Sequence, residues 1–351
     1  MENYEELKEY ETILAELKEK DRKKHLLFGN GFSISYDKDI FTYNALSKFI
    51  ENSSSDIVKK IFSLMNTNNF ELIMKNLETF STISKEFTDD DKLSNRIKDI
   101  ISELQRSLID AIVKLHPENV FSIPENKSKS CIKFLEEYLS NGGYVFSTNY
   151  DLLLYWVLMR NESKHIIDGF GREQEADIYN KGDSAIKEYS ELRWGKYKDQ
   201  QNVFYLHGSL PIFDTGIDII KLEYDIFHYL LDNIKTKIQN KEYPIFVTAG
   251  NGNEKLNQIT HNKYLNFCIE KLKNIEGSLI TFGFNFGEYD EHIIEAINIA
   301  AKRGNKQGNK LYSIYVGVYS KEDYNHIQSI KDKFQCKVNC YNAKTVKPWG
   351  V

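Results

Sequence analysis

Short apolar runs recur along the chain, and four of them end in a compact polar motif. His25-Leu26-Leu27-Phe28 leads into Gly29-Asn30-Gly31-Phe32-Ser33, and Tyr144-Val145-Phe146 into Ser147-Thr148-Asn149-Tyr150-Asp151. Val203-Phe204-Tyr205-Leu206 leads into His207-Gly208-Ser209, and Ser278-Leu279-Ile280-Thr281 into Phe282-Gly283-Phe284-Asn285. Runs of this kind, bounded by turn residues, predict strands covered on both faces, as in a parallel sheet. Further strands are predicted over 244–248 and 311–318, with an edge strand over 336–341.

Between these strands the apolar spacing becomes helical. Leu7, Tyr10, Ile13, Leu14 and Leu17 predict an amphipathic helix over 4–24, with glutamates at its start and Lys20, Arg22, Lys23 and Lys24 at its end. That order of charges suits the helix dipole. Phe70, Ile73, Met74, Leu77 and Phe80 predict a helix over 68–84. Leu93, Ile97, Ile100, Ile101, Leu104, Leu108 and Ile112 form a longer stripe, entered through Asp89-Asp90-Asp91. A helix over 127–140 stops at Asn141-Gly142-Gly143. Residues 41–140 carry no strand signal and read as a helical insertion between the first and second strands. Helices are also predicted over 150–160, 225–239, 254–274, 287–303 and 321–334, whereas 161–201 reads as an irregular excursion over the sheet. Alternating strands and helices predict an α/β fold: one Rossmann-like parallel sheet over residues 1–351, with the insertion at 41–140 inside it.

Composition narrows the classes. Apolar content of 41% and charged content of 28% are those of an ordinary globular chain. A formal charge of -5 gives no electrostatic case for nucleic acid as a direct partner. No apolar run is long enough to span a membrane, and the acidic N-terminus does not resemble a signal peptide, so a cytoplasmic protein is expected. Cys131, Cys268, Cys336 and Cys340 form no Cys-x-x-Cys pair, and no metal is expected from them.

In open parallel sheets the ligand site lies past the carboxyl ends of the strands, where these motifs fall. Gly29-Asn30-Gly31-Phe32-Ser33 offers close backbone approach and hydrogen-bond donors to a diphosphate, or is a tight turn. The third glycine of a dinucleotide fingerprint is replaced by Ile34. Asn149 reads against a ribose or a water, or against its own backbone. Asp151 reads against an amide of a base, or as a cap for the next helix. His207 has an unperturbed pKa suited to proton transfer, beside a Gly208 that leaves room for a ligand, or it is structural. Gly283 has room for an adenosine, or Gly283-Phe284-Asn285 is a turn with Asp290 at a helix start. Asp290 and His292 suggest metal, but the sequence offers no third ligand beside them.

Taken together and in order, these motifs resemble the sirtuin superfamily. Gly29-Asn30-Gly31-Phe32-Ser33 resembles its glycine loop over the diphosphate of NAD. Thr148-Asn149-Tyr150-Asp151 resembles its Gln-Asn-Ile-Asp segment, and His207-Gly208 its His-Gly. Gly283-Phe284-Asn285 resembles its adenosine-ribose turn. More closely, residues 26–35, 69–71, 148–156, 168–170 and 205–210 resemble the bacterial DUF4917 family, read here as a sirtuin-like group associated with antiphage defence.

The resemblance implies that Asn149 contacts the nicotinamide ribose and the attacking water, that Asp151 grips the carboxamide, and that His207 is the general base. Asn30, Phe32, Ser33, Thr148 and Asp290 join the glycines as NAD-binding residues. The four-cysteine zinc module of sirtuin deacylases is missing, and Thr148 replaces their Gln. The expected activity is therefore hydrolysis of NAD to nicotinamide and ADP-ribose, with NAD as substrate and no dissociable cofactor. The alternative is a non-catalytic NAD or ADP-ribose sensor; deacylation and ADP-ribosyl transfer are weighed against by the missing module. A homo-oligomer or a complex with a regulatory sensor protein is expected, because a toxic hydrolase must be restrained.

Overall fold

The computed structural model describes residues 4–41, 55–65, 70–87, 91–117, 119–161, 163, 165–172, 174–179, 185–189, 191–223, 229–240, 242–247, 251–302 and 310–350. The apolar runs form the parallel sheet they predict. Its seven strands lie in the order Lys8–Glu9, Lys337–Asn342, Leu311–Val318, Gly277–Phe282, Lys24–Phe28, Val145–Ser147, Val203–Tyr205. Every residue of Lys24–Phe28 and Gly277–Phe282 is buried, which is why these runs lack polar alternation. Helix Glu125–Leu139 packs on the strands Lys24–Phe28 and Val145–Ser147, and helix Lys263–Leu272 on Val203–Tyr205.

A buried histidine ties three neighbouring strands together. His25 Nδ1 accepts from the Tyr144 amide at 3.0 Å, and Nε2 donates to the Glu276 carbonyl at 2.9 Å. Burial, with nearby Lys23, pushes its pKa down to about 3, so it stays neutral with one donor and one acceptor, the state these two bonds need.

Several expectations are corrected. The edge of the sheet is Lys8–Glu9, and Lys337–Asn342 is paired on both sides. The helix expected over 4–24 is broken into a 3-10 turn at Tyr4–Glu6, that edge strand, and a helix at Tyr10–Glu19. The helix expected over 254–274 is two helices, Gly252–His261 and Lys263–Leu272. Asn262 divides them by accepting from the amides of Tyr264 and Leu265 at 3.1 Å, as a cap does.

The largest departure is a second, antiparallel sheet. It runs Pro244–Phe246, Gly208–Asp214, Ile219–Lys221, Leu192–Trp194, Phe170–Gly171. The segment expected to be irregular thus supplies two of its strands, and Pro244–Phe246 joins this sheet instead of the parallel one. A hairpin of Gln174–Tyr179 and Ala185–Tyr189 lies in the same excursion.

The helical insertion is present, with helices Asp56–Met65, Phe70–Phe87 and Asp91–Leu115. They enclose an apolar cluster separate from the main core: Val58, Phe62, Ile73, Met74, Leu77, Ile97, Ile100 and Leu104. Ile101 packs against it, while Phe80 and Leu93, expected in the buried stripes, are exposed. Residues 42–54, Asn69, Asp89 and Asp90 lie outside the described residues, as do the side chains of Phe70, Glu71, Leu108 and Ile112. Helix Asp91–Leu115 packs against helix Leu230–Gln239, and Lys75 pairs with Glu254 at 2.5 Å. Among the described residues no helix is long and apolar enough to cross a membrane.

Trp349 packs under the loop that follows the central strand Lys24–Phe28. Its indole Nε1 donates to the Phe32 carbonyl at 3.1 Å, and its ring lies 4.9 Å from that of Phe32. It is 2% exposed. Trp349→Ala is expected to lower unfolding free energy by about 3–5 kcal/mol, the usual cost of truncating a buried Trp. Denaturant unfolding checks this; a loss within experimental error would mean that the loop is held by other contacts.

Candidate functional site

The chain runs from the central strand Lys24–Phe28 outward through Val145–Ser147 to Val203–Tyr205, then restarts on the other side at Gly277–Phe282. The strand order reverses there, which opens a crevice at the carboxyl edge. The motifs ending at Ser33, Asp151, His207 and Asn285 all lie on that edge.

Two of these loops touch through glycine. The Gly31 amide donates to the Gly283 carbonyl at 3.0 Å, and the Gly29 amide to the Phe282 carbonyl at 3.2 Å. A Cβ on Gly31 would lie 2.4 Å from the Gly283 Cα, and one on Gly29 2.8 Å from the Gly283 oxygen. The glycines of this motif are therefore required by the packing of loop on loop. Gly208 is similar: its φ is +82°, and a Cβ would meet the Ile245 carbonyl oxygen at 1.8 Å. Its small size admits the strand Pro244–Phe246, where the sequence suggested room for a ligand.

Ser33 links the ends of the first two long strands. Asn149 Nδ2 donates to Ser33 Oγ at 2.8 Å, and Ser33 Oγ donates to Asp151 Oδ2 at 2.5 Å. Asp151 Oδ1 accepts from the Leu153 amide at 2.9 Å, so the carboxylate also caps helix Leu153–Asn161. All three side chains are buried. Burial raises the Asp151 pKa, and the Ser33, Leu153 and Asn149 donors offset part of that rise. Thr148 bonds the Phe28 carbonyl through its amide at 3.1 Å, and the Asn149 amide bonds Ser147 Oγ at 3.1 Å.

His207 sits beside this network, since Ser147 pairs with Tyr205 across the sheet and the Leu206 amide bonds the Ser147 carbonyl at 2.8 Å. Its Nε2 lies 2.8 Å from Nε2 of His292, at the start of helix Glu291–Lys302. Such a contact needs one N–H and one lone pair. Lys255, 1% exposed, lies 3.9 Å from Asp290, which also accepts from the Gly287 amide at 3.1 Å. Burial, then His292, then Lys255 push the His207 pKa well down, and burial and Lys255 push His292 down to about 3. Both rings are neutral near neutrality.

The expected site residues thus fall into groups. Ser33, Asn149 and Asp151 form one bonded network, and His207 and Asp290 belong to a second, adjoining cluster. Gly29, Gly31 and Gly283 form the contact between loops, and Asn30 opens the short helix Asn30–Tyr36. The Phe32 ring is turned into the core and stacks on Phe28 at 4.3 Å. Phe284 is buried against Phe286, and Asn285 is exposed. Lys255 went unrecognised, as did the pairing of His292 with His207, because residues 85 apart carry no local spacing signal.

The model of one protein family, described as Domain of unknown function (DUF4917), matches residues 26–349. No curated protein matches the chain.

Ser33→Ala would strip a donor from Asp151 and an acceptor from Asn149 inside a buried site. It is expected to cost about 1–3 kcal/mol of stability near neutrality. Because the raised Asp151 pKa marks a carboxylate that burial disfavours, the donor matters most while that group is ionised. The loss should shrink as pH falls through the Asp151 range. Urea unfolding at several pH values reads this out, and a penalty that does not vary with pH would contradict the assigned network.

Proposed function

The chain belongs to the DUF4917 family, and from that premise we propose that it hydrolyses NAD at the carboxyl edge of its parallel sheet. The observation that carries the reading is the convergence of Asn149, Ser33 and Asp151 in one buried network, on the strand end next to His207. The reading extends the likeness of these motifs to the sirtuin superfamily, and it places NAD in the crevice where the strand order reverses.

The chemistry follows from that placement. Departure of nicotinamide takes the bonding electrons of the N-glycosidic bond and leaves an oxocarbenium-like ribose. Water adds to the anomeric carbon and gives up a proton. Asn149 orients the ribose and the water, and His207, held neutral by burial, His292 and Lys255, takes the proton once the water has bonded to the cationic carbon and become strongly acidic. Asp151 fixes Ser33 and Asn149 and stands on the carboxamide side. The products are nicotinamide, ADP-ribose and a proton. No lysine deacylation or cysteine zinc module enters the scheme; Cys131, Cys268 and Cys340 are buried.

A second reading is NAD or ADP-ribose binding without turnover. It is favoured by the internal satisfaction of the site: both Asp151 oxygens and the Asn149 amide nitrogen already have protein partners. Under the hydrolase reading the chain would serve antiphage defence by depleting NAD, and assembly with itself or with a sensor protein would restrain that loss.

The decisive experiment mixes the pure chain with NAD and follows nicotinamide release and NAD binding. Release is expected, and Asn149→Ala and His207→Ala should each reduce it by about 100-fold or more in protein that circular dichroism shows to be folded at the assay temperature. Binding without release would favour the sensor. Neither binding nor release would remove NAD from the account.

A further inference from the structure

The sequence offers Asp290 and His292 as a ligand pair without a third member; the fold brings the third. His207 comes from the end of strand Val203–Tyr205, and Asp290 and His292 from the chain after Gly277–Phe282. These two strands are separated in the sheet by Lys24–Phe28 and Val145–Ser147, so the segment after Gly283 must fold back over the carboxyl edge to bring His292 to His207. One ligand atom from each of His207, Asp290 and His292 lies within 4.8 Å of the others. Both histidines are buried, at 3% and 2% exposure, while the Asp290 side chain is 20% exposed and leaves an approach from solvent.

We propose that His207, His292 and Asp290 form a binding site for one divalent transition cation of the zinc class. Two imidazoles and one carboxylate with an open fourth position are a common donor set for such ions. Imidazole nitrogens on a tetrahedral ion at about 2.0–2.1 Å stand roughly 3.3 Å apart. The two Nε2 atoms, now 2.8 Å apart, need open by only about half an ångström to admit it. The ring contact through Nε2 leaves His292 Nδ1 on the far side of its ring, buried and able to carry the ring's single proton. That is the tautomer in which Nε2 is free to ligate. Asp290 brings the only negative charge of the three, and Lys255, 3.9 Å from it, brings a positive charge that opposes a second cation. Lys255 and the metal thus compete for Asp290, and this sets the sign of one test.

The inference stands apart from NAD hydrolysis, and binding is measured without NAD. The full chain is titrated with zinc ion by calorimetry, and with cobalt ion by visible and near-ultraviolet absorption, where thiolate charge-transfer bands in the near ultraviolet would reveal cysteine ligands. One ion per chain is expected, without thiolate bands. His292→Ala and Asp290→Asn should each weaken binding at least about 10-fold, a loss that even outer partners of metal sites incur. Lys255→Met should tighten it, and Cys336→Ser should leave it unchanged. Circular dichroism melts show which variants are folded, and Asp290→Asn, which keeps an acceptor for the Gly287 amide, carries the test if His292→Ala does not fold. Absence of saturable binding, thiolate bands, or affinity that is unaltered in Asp290→Asn would overturn the proposal.

Discussion

The approach of Gly31 to Gly283 governs the architecture of the carboxyl edge. With a Cβ on Gly31 only 2.4 Å from the Gly283 Cα, no other residue fits without moving backbone. Two hydrogen bonds, from the Gly29 amide to the Phe282 carbonyl and from the Gly31 amide to the Gly283 carbonyl, close the seam between the two halves of the sheet. On one side the seam sets where Ser33 reaches Asn149 and Asp151. On the other it sets where the chain leaves Gly283 to carry His292 back across the edge to His207. A side chain at either glycine would separate the loops, and the two polar clusters would lose their common frame. The nucleotide-like glycine pattern is therefore explained by packing first, and any ligand uses a surface that packing has already formed.

The parallel strands were legible because burial on both faces leaves uninterrupted apolar runs. The same physics explains what was missed. Lys8–Glu9 has two charged, exposed residues and pairs only through its backbone, so nothing in its composition signals a strand. Phe170–Gly171 and Leu192–Trp194 are two and three residues long, too short for a periodic pattern, and their pairing is settled by partners far along the chain. In the insertion the stripes held where they meet the separate cluster. They failed at Phe80 and Leu93, which sit on helical spacing but face solvent. Periodicity identifies a face; it does not say how far along the helix the neighbouring element extends.

At the candidate site, residue types and strand ends are legible along the chain, but partners are not. Asp151 was open between capping and ligand recognition, and its two oxygens divide the work: Oδ1 caps Leu153, and Oδ2 takes the Ser33 hydroxyl. Ser33, which the sequence offers as a phosphate donor, bridges a buried network. His207 was read alone, though its closest polar neighbour is a second histidine. Each of these depends on contacts between residues more than 80 positions apart, except the local cap, and the local cap is the one that sequence reasoning anticipated.

The buried charge of Lys255 connects these observations. An ammonium at 1% exposure is costly to desolvate, and its ion pair with Asp290 is long at 3.9 Å. Its field disfavours a proton on either His207 or His292 and so adds to the effect of burial. A pair of histidines in contact would otherwise share an added proton readily; here they are held neutral. Neutral imidazole is the form that ligates a cation, so the electrostatics that weakens both rings as bases keeps their lone pairs available to one. The adjoining residue, Glu254, faces outward, completes the capping box with Asn251 and pairs with Lys75 of the insertion. With Glu254 45% exposed, that pair contributes at most about 1 kcal/mol. Its consequence is geometric: the insertion rests on the same helical turn that presents Lys255 to the histidines, so the surface contact and the buried charge are set by one backbone segment.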